Sequence, residues 1–167
     1  MRLYIRQKVF SWNDKFYVKD EAGRDRYYVE GEFFSLGKKL HIYDMADNEV
    51  AFIQQKVFSF LPRYYVYIGE NQIAEIVKKM SFFVPRYYVG GLDWDVDGDF
   101  MAHDYEIRKN DRAIVRIFKE WMTWGDCYEL DISPDADEIV SLAVVLAIDC
   151  VMASNNSGGV SFTVGGN

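Results

Sequence analysis

The sequence predicts a mainly β protein with a single helix (α+β), in which a closed antiparallel barrel of about twelve strands surrounds a central hydrophobic C-terminal helix. Three observations carry this prediction. From Ile139 to Ala153 the chain is apolar on every side, interrupted only by Ser141 and Asp149, and a helix of that kind must be buried all round. A hairpin-forming block recurs along the chain before it. The composition, 17% aromatic with 12 Tyr and 12 Phe, suits strands that pack on pleated, half-buried surfaces.

The recurring block comes first. Lys15-Phe-Tyr-Val18, Arg26-Tyr-Tyr-Val29, Arg63-Tyr-Tyr-Val66 and Arg86-Tyr-Tyr-Val89 are near copies. Two sit in longer matching stretches, Lys56-Val-Phe-Ser-Phe-Leu-Pro-Arg63 and Lys79-Met-Ser-Phe-Phe-Val-Pro-Arg86, and Lys8-Val-Phe-Ser-Trp-Asn-Asp-Lys15 is a looser third. Their irregular spacing argues against a solenoid and for successive hairpins of one sheet.

Turn residues divide these stretches. Asp20-Glu-Ala-Gly23, Asp44-Met-Ala-Asp-Asn48, Gly69-Glu-Asn71, Asp97-Gly98 and Lys109-Asn-Asp111 separate runs rich in Val, Ile, Tyr and Phe. The predicted strands are 3–11, 14–19, 25–31, 38–44, 49–58, 62–69, 72–80, 84–90, 100–109, 112–120 and 126–132, with a short one at 32–36 bringing the count to twelve.

The helix follows, over about 134–153. Ser133 can cap it, Pro134 suits its first position, and Asp135, Asp137 and Glu138 place negative charge at the positive end of its dipole. A membrane span needs about 18 or more apolar residues, more than this run offers, and Asp149 lies within it. The helix is therefore expected inside the protein, with Asp149 reaching the far mouth of the barrel to bond backbone amides or an Arg.

Strand number and helix agree in size. Twelve strands about 4.8 Å apart and tilted about 40° close with a radius of roughly 12 Å, against roughly 8 Å for eight strands. A helix with its side chains has a radius of about 5–6 Å. Eight strands would fill their own interior, whereas twelve admit one helix. Residues 1–154 are thus expected to form one barrel domain, and 155–167 a Gly/Ser/Asn-rich tail.

Composition narrows the function. A formal net charge of −7 and a pI near 4.8 oppose non-specific binding to nucleic acid. The two cysteines, Cys127 and Cys150, make no disulfide framework and fit a reducing setting, so the expected location is cytoplasmic, with peripheral attachment to a membrane if lipid is bound. The start of the chain has no hydrophobic signal core.

Candidate chemistry is sparse. Asp93, Asp95, Asp97, the glycine at the sixth place, Asp99 and Asp104 follow the calcium-loop template, in which alternate carboxylates of a tight loop converge on one hard cation. Asp stands where the template has a bidentate Glu, and a strand follows where it has a helix. The competing reading is a solvated hairpin with a Gly turn. Lys56, Arg63, Lys78, Lys79 and Arg86 recur at matching places in the hairpin copies and could form a phosphate-binding patch, against the alternative that exposed lysines blunt strand edges. His41 and His103 are the only histidines, which leaves little material for a His-based metal site or a nucleophile with its base. No Walker loop, dinucleotide fingerprint or nucleophile elbow occurs.

A series of positions in order completes the reading: Lys8 and Ser11; Phe16, Val18, Asp20 and Gly23; Tyr28, Val29 and Gly31, with Tyr27 in the alternating place; Leu40, Ile42 and Asp44; Val50 and Ile53; Lys56 and Ser59; Ala74, Ile76, Lys78 and Lys79; then Asp104-Tyr-Glu-Ile107 and the helix. Over about residues 1–153 this pattern resembles the LURP-one-related family, grouped with tubby C-terminal domains and phospholipid scramblases in a tubby-like superfamily. The resemblance implies a twelve-stranded barrel around a central C-terminal helix. It says less about activity: tubby domains bind phosphoinositides and scramblases are lipid-associated, but no site residue carries over. The expectation here is a non-enzymatic binding or scaffold module, engaging anionic phospholipid or phosphoinositide head groups or a protein partner, with no cofactor. The rival expectation is a calcium-responsive module or an enzyme using the barrel end near Asp93–Asp104.

Overall fold

The computed structural model describes residues 1–6, 15–32, 35–79, 86–100, 102–122 and 125–156. Twelve strands follow one another as β1 (Arg2–Arg6), β2 (Phe16–Asp20), β3 (Asp25–Gly31), β4 (Lys39–Asp44), β5 (Glu49–Gln55), β6 (Arg63–Ile68), β7 (Asn71–Lys79), β8 (Arg86–Gly90), β9 (Trp94–Asp99), β10 (Asp104–Lys109), β11 (Arg112–Met122) and β12 (Gly125–Ile132), before helix α1 (Glu138–Asn156). Every strand pairs antiparallel with its sequence neighbours, and β1 pairs with β12, from Arg2 opposite Asp131 to Arg6 opposite Cys127, to close the barrel.

Period-two alternation builds the wall. Leu3 and Ile5, Leu40 and Ile42, Ala51 and Ile53, Tyr64 and Val66, Ala74 and Ile76, Tyr105 and Ile107, Leu130 and Ile132 all point inward and are buried. Their partners across the pleat face out. Register shifts at Val18/Lys19, Ile42/Tyr43, Val66/Tyr67 and Ile107/Arg108 each precede a hairpin at the same end of the barrel, where bulges add the twist that a closed sheet requires.

That end, the turn end, carries the tight hairpins. Asp20 accepts from the backbone amides of Ala22 and Arg24, and Asp44 in the same way from Ala46 and Asn48, two copies of one Asx turn. The opposite end, the loop end, carries the β1–β2, β3–β4, β5–β6, β7–β8, β9–β10 and β11–β12 connections. The helix enters at the turn end, where Arg26 pairs with Glu138 at 3.2 Å. It leaves at the loop end, where Tyr64 Oη and Ser154 Oγ lie 2.7 Å apart.

Leu142 through Ile148, Cys150 and Val151 are fully buried, as all-round hydrophobicity demands. Among the described residues no helix is long and apolar enough to cross a membrane. α1 packs most closely on β5, β6 and β7; towards β8–β12 the space is filled by Tyr87, Trp94, Phe100, Tyr105 and Tyr128.

Three expectations are corrected. The twelfth strand is Trp94–Asp99, not 32–36: Glu32, Ser35 and Leu36 are not strand, and residues 33–34 lie outside the described residues. The helix starts at Glu138, capped by Asp137, whose Oδ1 accepts from the Val140 amide at 2.9 Å. Ser133 instead closes the preceding turn, its carbonyl accepting from Ala136 at 3.0 Å. Asp149 stays inside the barrel, 2% exposed. Parts of the predicted strands 3–11 and 84–90 and the tail from residue 157 fall outside the described residues.

Candidate functional site

The loop end collects the cations that the hairpin repeats place there. Lys56 follows β5, Arg63 opens β6, Lys78 and Lys79 close β7, and Arg86 opens β8. The Lys56 amide donates to the Arg63 carbonyl at 2.9 Å, and Lys79 stands directly opposite Arg86. Four adjacent strands thus bring five basic residues to one sector of one end.

They do not share one face. Ala74 and Ile76 point inward, so Lys78, at the same parity, sits at the mouth of the barrel. Arg63 faces outward and pairs with Glu75. Lys56 is exposed, with Nζ 6.0 Å from the Tyr65 ring centroid. The mouth holds one cation the repeats did not reveal. Lys38 stands two residues before inward-facing Leu40, and burial lowers its pKa.

Two further features were not visible as sites. On the outer wall, rings contact in series across five strands: Tyr17 with Tyr28, Tyr28 stacked on Tyr43 at 4.9 Å, Tyr43 with His41, His41 with Phe52, and Phe52 with Tyr67. Lys15 Nζ covers Tyr28 at 3.5 Å from its centroid. This belt is the sheet's own cross-strand stabilisation, worth about 0.2–1 kcal/mol per pair. At the loop-end tips, Leu36, Phe58 and Phe60 are 72%, 96% and 94% exposed. The alternation Val57-Phe-Ser-Phe60 reads as strand, but β5 ends at Gln55, which leaves these rings outside the wall.

Inside the barrel lies a polar cluster. Tyr128 donates its hydroxyl to Asp149 Oδ2, and His103 stacks on the Tyr128 ring at 4.6 Å, its Nε2 3.7 Å from Asp149 Oδ1. Burial raises the Asp149 carboxyl to about 7 and lowers the His103 imidazole. Both groups are pushed towards neutrality, so this approach is not a conventional salt bridge. Burial also raises Tyr105 and Tyr128 well above the usual tyrosine value. Among the described residues His103 Nδ1, Tyr105 Oη and Asp149 Oδ1 have no hydrogen-bond partner.

The acidic stretch is a strand, not a loop. Trp94 and Val96 point inward, and Asp95, Asp97 and Asp99 alternate outward. Successive outward carboxylates on a strand are about 7 Å apart. Asp97 faces Glu106, and Asp99 faces Asp104. Arg108 and Arg116 lie 3.0 and 3.6 Å from Glu106 and relieve the like-charge pairing. Asp93 precedes the strand in a left-handed conformation (φ 52°). Gly98 has a cause of its own: at φ 131°, a Cβ there would lie 2.5 Å from Tyr105 Cα. Among the described residues no group of three or more His, Cys, Asp and Glu side chains is placed to hold a metal ion. Cys127 and Cys150 are buried and are not joined in a disulfide.

A closed twelve-stranded antiparallel barrel threaded by its C-terminal helix defines the class of protein, a tubby-like module. Residues 1–149 match the family described as LURP-one-related, and the chain belongs to that family. A curated relative, "Uncharacterized protein YxjI" of Bacillus subtilis (strain 168), is 32% identical over 152 residues, 91% of this chain and 94% of that protein. An X-ray structure of a protein from Arabidopsis thaliana superposes with a TM-score of 0.65 over 90% of each chain at 15% identity, a likeness of fold.

Proposed function

We propose that this protein is a non-enzymatic binding module whose loop end engages anionic phospholipid or phosphoinositide head groups at the cytoplasmic surface of a membrane. The observation that supports it is the convergence of Lys56, Arg63, Lys78, Lys79 and Arg86 from four adjacent strands on one sector of the loop end. The turns at the opposite end carry Asp20, Glu21, Asp44, Asp47, Glu70 and Asp111. The loop end also carries Glu32, Asp99 and Asp104, so the positive field belongs to the β5–β8 sector and not to the whole end. A chain of net charge −7 can approach an anionic surface only through such a local basic sector, since each basic residue near that surface contributes about 1 kcal/mol within a Debye length.

Sedimentation with phosphatidylserine or phosphoinositide vesicles at low salt tests this reading. The protein should pellet with anionic vesicles and stay soluble with phosphatidylcholine alone, and Lys78→Ala/Lys79→Ala should weaken the binding. No pelleting with anionic vesicles at low salt would refute it.

A further inference from the structure

The loop end carries an apolar feature that electrostatic attraction does not use. In the β5–β6 connection Phe58 and Phe60 stand 96% and 94% exposed, and in the neighbouring β3–β4 connection Leu36 is 72% exposed. The two loops touch: a Cβ on Gly37 would lie 3.3 Å from Val57 Cγ2 and 3.2 Å from the Gln55 carbonyl. Leu36 and the two rings therefore stand on adjacent loops. Phe58 holds φ at 59°, a left-handed backbone that a bulky aromatic rarely adopts. A conformation of that kind turns the ring outward at a cost and points to a role outside the fold.

We infer that Leu36, Phe58 and Phe60 insert into the boundary between head groups and acyl chains of a membrane, as an apolar anchor beside the cationic sector. The inference rests on the lipid-binding reading and deepens it. Three properties select a bilayer as the occupant. The tips are convex and almost wholly exposed, whereas a protein partner would present a pocket matched to a packed apolar centre inside a polar rim. A fluid interface accepts projecting rings without such complementarity, and aromatic side chains favour that depth. The flanking charge also fits: residues 35–38 and 56–62 include no acidic residue, and Lys56 among them is exposed, which suits an anionic surface.

The test uses the whole chain and vesicles of phosphatidylserine and phosphatidylcholine. Phe60→Cys carries an NBD fluorophore, since Cys127 and Cys150 are buried and resist labelling. On vesicle binding the label should brighten, shift to the blue and be quenched by spin labels placed high on the acyl chains. Phe58→Ser/Phe60→Ser should keep its thermal midpoint and lose at least about tenfold in partitioning, the effect of withdrawing two apolar side chains from a bilayer. If the parent protein pellets with vesicles while the double variant binds equally and the label stays unquenched, insertion is refuted and head-group binding stands. If the parent protein ignores anionic vesicles, both readings fall. A dimer formed without vesicles and abolished in the double variant would assign the tips to a second copy of the chain and refute insertion.

Discussion

Tyr128 on β12 donates its hydroxyl to Asp149 on α1, so the one carboxylate on the buried face of the helix is held by the barrel wall. The groups facing it are Tyr87 from β8, His103 from the β9–β10 turn, Tyr105 from β10 and Tyr128 itself. None is a permanent cation, and burial dominates, raising the carboxyl to about 7 from an ordinary value of 3.8.

Stability should therefore depend on pH through Asp149. Its folded-state pKa lies above its unfolded value, so the folded form binds the proton more tightly. Stability from this group is present below about pH 4 and falls as pH rises towards about 7. Asp149→Asn cannot ionise, and its carbonyl still accepts from Tyr128. Its stability should exceed that of the parent by a margin that widens from pH 5 to pH 8, reaching on the order of a few kcal/mol and read as a rising difference in thermal midpoint. His103, lowered by burial, gives the opposite slope below about pH 6.5. Because it lies 3.7 Å from Asp149, the difference between the two proteins reports the coupled pair, and Asp149→Asn/His103→Gln against His103→Gln isolates the carboxyl. A margin constant with pH would contradict this assignment.

Leu142→Ala should cost about 2–5 kcal/mol in chemical unfolding, because Leu142 is wholly enclosed and the barrel cannot collapse onto the cavity. Leu142→Lys and Leu146→Lys should leave no folded protein, since the charge would have neither water nor a partner. Circular dichroism and gel filtration read both outcomes. A folded, soluble lysine variant would mean that the helix is not the core.

Gly98→Ala should destabilise the barrel by more than the cost of an ordinary surface change, about 0.5 kcal/mol. Its Cβ would meet the Tyr105 backbone at 2.5 Å, and φ 131° is strained for any other residue. Thermal unfolding with and without calcium extends the test. If the outward carboxylates of β9 act separately, millimolar calcium should move the midpoint no further than magnesium does. A rise of several degrees specific to calcium would show the Asp93–Asp104 carboxylates converging on the ion.

Asp137→Ala should cost about 1 kcal/mol and Ser133→Ala less, because Asp137 satisfies the Val140 amide at the helix start. Equal effects in thermal unfolding would return the cap to Ser133.

The architecture was legible because its two signals are independent of tertiary detail. A helix apolar on all sides from Ile139 to Ala153 must be enclosed, and a hairpin block repeated from Lys8 to Val89 supplies the wall. β9 was misread because Asp95, Asp97 and Asp99 dominate its composition; the alternation of Trp94 and Val96 was the signal of a strand, with one face buried and the other in water. The helix start was misplaced because Ser133-Pro134 and Asp137 both satisfy helix-start chemistry, and only the backbone decides between them. The cationic sector followed from repeat spacing, but parity decides that Lys78 faces the mouth and Arg63 the outside with Glu75. Phe58 and Phe60 hid inside an apparent strand, and the His103–Tyr128–Asp149 cluster joins three distant segments that no local pattern connects.

Hydrogen exchange of the intact protein with and without phosphatidylserine vesicles tests most directly whether the loop end is the membrane-facing end. Slowed exchange confined to residues 35–38 and 56–62 and the adjoining ends of β6 and β7, with the Asp20 and Asp44 turns unchanged, is the predicted result. Slowed exchange at the turn end, or none anywhere while the protein is bound, would contradict it.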